Sequence, residues 1–64
     1  MTDLMRRQLL DLVLQAGAGD YRPLPPFWHT WSADERLAHA AVLAIELKHA
    51  AMGGDTRAAR ILRG

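Results

Sequence analysis

Three prolines within four positions, Pro23, Pro25 and Pro26, bar any regular helix or central strand from the middle of this 64-residue chain. Each ring fixes its own φ, removes a backbone N–H and pushes the preceding residue toward extended backbone. Residues 20–26 are therefore a stiff connector, and regular structure must form on its two sides. Phe27, Trp28, His29, Thr30 and Trp31 follow directly. They are expected to form a single turn whose rings pack on the ends of the flanking helices.

On the N-terminal side, residues 3–16 carry helix punctuation, with Thr2 as the N-cap and Gly17 and Gly19 as stops. Met5, Leu9, Leu10, Leu12, Val13, Leu14 and Ala16 cover an arc of roughly 200° on a helical wheel. On the C-terminal side, Ser32 and Glu35 match the capping box of a helix expected over 33–52, which Gly53 and Gly54 end. Within it Ala33, Leu37, Ala40, Ala44, Leu47 and Ala51 recur at heptad spacing, a mostly alanine seam that lets another helix approach closely. Met5, Leu9, Leu12 and Ala16 repeat that spacing, so the two segments are expected to pair antiparallel across the connector. Asp55 or Thr56 can cap a last short helix over 57–63, anchored by Ala58, Ile61 and Leu62.

The expected fold is thus all-α: one domain over 1–64, an antiparallel helical pair, a Pro/aromatic connector and a short C-terminal helix. A chain this short hides only about 60% of the surface that its unfolded form exposes. With no cysteine it has neither a disulfide staple nor a thiolate metal site. Half of the residues are hydrophobic, and their arcs are wider than two short helices can cover. A homodimer with a four-helix-like core is the expected remedy.

Charge narrows the partners. A net charge of +1 is too small to hold the whole molecule on nucleic acid or an anionic membrane. The apolar run around Leu9–Leu14 is broken by Asp11 and is too short to span a bilayer. The expected location is the cytoplasm, of a bacterium or of a phage-infected host. Arginine outnumbers lysine seven to one, alanine occurs 11 times and asparagine is absent, which points to a GC-rich bacterial or phage gene.

Four constellations compete for function. The aromatic segment with its arginines, Tyr21, Arg22, Trp28 and Arg36, has the residue types that dominate protein-binding hot spots. The competing reading places these rings in the core, with Phe27 and Trp31 closing the end of the helical pair. Arg57, Arg60 and Arg63 form a basic stripe after a helix-Gly-Gly-helix junction, which Arg6 and Arg7 of the first helix would extend in a pair of chains. That arrangement suggests a nucleic-acid-binding regulator, against which stand a short terminal helix and the absence of Asn, Gln or Lys from it. Glu35, His39, Glu46 and His49 share one side of the second helix, and Glu46-x-x-His49 has the spacing used by di-iron bundles. A ferritin-like metal protein is the distant alternative, and the favoured reading of that strip is a solvated face. Arg22-Pro23-Leu24-Pro25-Pro26 has the look of a polyproline ligand but serves equally as a rigid spacer.

No catalytic arrangement stands out. His29, His39 and His49 lack the nucleophile and orienting acid of a triad, and there is no phosphate-binding glycine loop. In size, arginine bias and lone helical domain the chain resembles small phage or prophage accessory proteins, which implies stoichiometric binding to one host protein. The expected function is that of a non-catalytic protein-binding regulator or inhibitor without a cofactor.

Overall fold

The computed structural model describes residues 2–64 and is all-helical, with no strand among them. Its elements are α1 (Asp3–Ala18), one turn of 3-10 helix (Trp28–Thr30), α2 (Ala33–Met52) and α3 (Thr56–Arg63). No helix is long and apolar enough to cross a membrane among the described residues.

Each helix begins where a side chain can satisfy the orphan amides of its first turn. Thr2 Oγ1 accepts from the Met5 N–H at 3.1 Å. Ser32 Oγ accepts from the Glu35 N–H at 3.1 Å, and Glu35 Oε1 accepts in return from the Ser32 N–H at 3.2 Å, completing the capping box. Asp55 Oδ1 accepts from both the Arg57 and Ala58 N–H groups, so Asp55 is the cap and Thr56 the first helical residue.

Two expectations need correction. Gly17 does not end α1; the helix continues through Ala18, and Gly19 is its C-cap. Gly17 lies within the helix beneath the returning chain, where a Cβ would meet the Arg22 carbonyl and Leu24 at ordinary van der Waals distance. The chain turns at Asp20, which takes a positive φ of 56° that aspartate tolerates, and the Tyr21 and Arg22 N–H groups both donate to the Ala16 carbonyl.

The second correction concerns direction. Arg57 at the start of α3 donates to the Gly19 carbonyl at the end of α1, while Met5 and Gly64, from the opposite ends of those helices, line one groove. The Arg22 guanidinium, just past α1, pairs with Glu46 in the C-terminal half of α2. The helices running in opposite directions are therefore α1 and α3, and the end of α1 lies toward the end of α2. The length of the connector permits this direction. Fourteen residues, 19–32, reach up to about 45 Å when extended, ample to return along a helix of about 30 Å, whereas an antiparallel hairpin needs only a short loop.

The core forms where the three helices meet. Val13 and Ala16 from α1, Ala40, Leu43, Ala44 and Leu47 from α2, Ala58 from α3 and Trp28 from the connector are buried. Leu9, Leu10, Leu12, Ile61 and Leu62 pack against them, half-buried. Each helix contributes one alanine with no exposed surface, Ala16, Ala40 and Ala58, as small seam residues permit. The result is flat, 33 × 26 × 16 Å.

Candidate functional site

The connector carries the chemistry that the sequence singled out. It is fastened at three points. At its start, Arg22 Nη2 donates to Glu46 Oε2 at 2.7 Å across a solvent-exposed ion pair. At its end, the Arg36 guanidinium donates from Nε and Nη2 to the Trp31 carbonyl at 3.2 and 2.9 Å, a two-pronged bond that locks the residue before the Ser32 cap onto α2. Between these, the Trp28 ring, 6% exposed, is sunk into the core.

Around Trp28 stands an aromatic triad. Its ring centroid lies 5.6 Å from that of Trp31 and 5.7 Å from that of His39, and Trp31 and His39 are 5.8 Å apart. Both tryptophans meet the imidazole in tilted, edge-on geometry, the arrangement favoured by ring quadrupoles. His39 Nε2 is buried there without a hydrogen-bond partner.

Phe27 is the opposite of its neighbour. The Trp28 N–H donates to the Pro25 carbonyl at 3.2 Å, closing a turn with Pro26 and Phe27 at its centre. Phe27 takes φ 62° and ψ 22°, the left-handed region that glycine or asparagine normally fills after proline in such a turn. The conformation is held by the Thr30 N–H and Oγ1, both donating to the Phe27 carbonyl. Its ring is 79% exposed, and Leu24 and Pro26 beside it are exposed too. Trp28 and His29 then form one wall of a shallow hollow completed by Leu10, Leu14 and Arg36. A fixed aromatic ridge thus stands next to an apolar depression with one cationic edge.

The sequence-derived candidates are distributed as follows. Trp28 and Trp31, not Phe27 and Trp31, close the end of the helices. Tyr21 is half-buried with the Arg57 guanidinium 6.0 Å from its ring centroid. Arg22 and Arg36 hold the connector in place, and Arg36 also borders the hollow. Arg6, Arg7, Arg57, Arg60 and Arg63 are all exposed, and Arg57 is tied to Gly19. Glu35, His39, Glu46 and His49 do not converge: Glu35 caps α2, Glu46 faces Arg22, His39 is wedged between the tryptophans, and His49 is exposed on α2. Among the described residues no three acidic, histidine or cysteine side chains gather as a metal site would require.

Phe27 is the residue that the sequence reading undervalued, and its signal was local. A Pro-X pair at the centre of a turn suits both a type I turn, in which X keeps a negative φ, and a type II turn, in which φ is positive; the pair marks the turn, and the structure shows that Phe27 takes the positive φ.

A second concavity, a groove of about 460 Å³, lies between α1, α2 and α3. Leu9, Leu12, Ile61 and Leu62 line it, with Gln8, Asp11, Lys48 and Arg63 on the sides. It leaves the Met5–Leu9–Leu12 edge of α1 open rather than paired. No protein-family model, curated protein or solved structure matches the chain.

Proposed function

We propose that this protein is a non-catalytic binding module that regulates or inhibits another protein by stoichiometric contact, with the Phe27 turn as its anchor. The single observation that carries the reading is the conformation of Phe27: a bulky apolar residue in a backbone slot that costs about 1–2 kcal/mol for an L-residue, with its ring in solvent. Folding alone would be better served by glycine at that position. Strained, exposed aromatics are what a binding surface retains and a fold does not need.

The partner in this reading is a protein offering an apolar pocket for the Phe27 ring, flanked by acidic or carbonyl groups that meet Arg36 beside the hollow. The fastened connector keeps the cost of binding low, because little conformational freedom remains to be lost on contact. The working unit is a pair of chains, in the cytoplasm of a bacterium or of a phage-infected host.

The test is affinity capture from the natural host, with the wild-type protein beside Phe27→Gly. The reading expects a protein retained in near-equimolar amount by the wild type and lost with Phe27→Gly, whose helix content is unchanged. Equal retention by both proteins would overturn it. So would tight duplex DNA binding that weakens steeply with salt and disappears on Arg60→Ala and Arg63→Ala.

A further inference from the structure

Helix α2 is apolar on two faces. Ala40, Leu43, Ala44 and Leu47 point inward and are buried. Ala38, Val42, Ile45, His49 and Met52 recur at the same heptad spacing, roughly 170° around the helix from the first set. All five are exposed, Val42 at 56%, Ile45 at 57% and Met52 at 85%. Six large apolar side chains among the described residues are at least half exposed, and three of them stand on this line. Its only ionisable member is His49.

We infer that this outer stripe is the contact face of a homodimer in which the α2 helices of two copies pack antiparallel about a two-fold axis near Ile45. The inference rests on the paired-chain reading above and supplies its face, which is not the alanine seam, since that seam is spent inside the monomer. Three observations select a second copy as the occupant.

The ends of the stripe are complementary about its midpoint. Ile45 lies midway between Ala38 and Met52, so antiparallel pairing brings the small Ala38 end of one copy against the long Met52 end of the other. The contact is then isologous and closes at two chains. Helix dipoles favour the same orientation, with Asp34 and Glu35 in the first turn of α2 and the carbonyl end of the helix at Ala51 and Met52. Antiparallel packing sets these ends head to tail and opposes the two helix dipoles.

Area gives the third argument. The chain exposes 4657 Å², against about 4100 Å² for a monomeric globular protein of this mass. The excess over two copies, about 1150 Å², passes the roughly 1000 Å² that a specific interface needs.

Sedimentation of the full chain at micromolar concentration tests the inference. The wild type is expected to run as a dimer. Ile45→Glu and Ile45→Lys should each be monomeric with unchanged helical circular dichroism, because Ile45 is more than half exposed and stands outside the core. An equimolar mixture of the two variants should regain dimer mass, since the opposite charges meet near the axis. Should Ile45→Glu lose helix content, Met52→Glu carries the same test, with a weakening of at least tenfold expected. A dimer indifferent to these substitutions, or a mixture that stays monomeric, overturns the face and leaves the paired-chain reading standing. A monomeric wild type overturns both.

Discussion

Arg57 Nη2 donates to the Gly19 carbonyl at 3.0 Å, so the C-terminus of α1 is capped by a side chain from α3, 38 residues away in sequence. The same guanidinium lies 6.0 Å from the Tyr21 ring centroid. One arginine therefore ties α3 to the junction of α1 and the connector, whereas among the described residues no side-chain bond is seen for Arg60 or Arg63 on the same helix. Arg57→Ala is expected to cost about 1 kcal/mol, the sum of a modest charge-assisted bond and a weak cation–π contact. Arg60→Ala should cost almost nothing. Urea denaturation of the two variants distinguishes them, and equal midpoints would refute the capping role.

Leu47 has no exposed surface and sits at the centre of the buried face of α2. Truncation to alanine should remove about 2–5 kcal/mol, comparable with the whole stability available to a core of this size, about 3–5 kcal/mol. Leu47→Ala is expected to be largely unfolded at room temperature by circular dichroism. Val42→Ala, on the outer face of the same helix, should retain full helix content at low protein concentration.

Phe27→Gly relieves the positive φ without removing a buried contact. A gain of about 1 kcal/mol is expected from thermal unfolding at concentrations too low for dimers, because the relief of strain outweighs the extra freedom glycine gives the unfolded chain. A loss of stability would mean that the ring packs on the protein, contrary to its exposure.

His39 carries a buried nitrogen with no partner, a defect worth about 1–3 kcal/mol. His39→Phe keeps an aromatic edge toward Trp28 and Trp31 while deleting the unsatisfied atom. It is expected to raise the denaturation midpoint. A lowered midpoint would show that the larger ring cannot be accommodated between the tryptophans.

Much of the fold was legible because local chemistry sets helix boundaries. Ser32, Glu35 and Gly53 bracket α2 at both ends, and the structure keeps the bounds 33–52. At the end of α1 the same logic failed. Two glycines stand two residues apart, and only the structure shows that Gly19, not Gly17, ends the helix. Periodicity showed which faces are apolar but not what covers them. The matching of seams did not fix direction, because a connector of 14 residues can join the helices either way, and it is α3 that lies antiparallel to α1. At the candidate site, the aromatic segment was visible as a composition. The exchange of roles between Phe27 and Trp28 was not, because it depends on a single positive φ after Pro26. The tie between Arg57 and Gly19 had no signature in sequence, since it spans two helices.

Ala16, Ala40 and Ala58 give this small protein an unusual kind of mutational landscape. Where helices meet on methyl groups, their spacing is governed by the main chains themselves, and a larger side chain acts as a wedge. Leucines can be exchanged for other aliphatic residues at modest cost, because neighbouring side chains can repack around a change of shape. The three alanines have no such freedom, as every substitution except glycine enlarges them and glycine weakens the helix. The positions that define this fold most strictly are thus those with the least side chain.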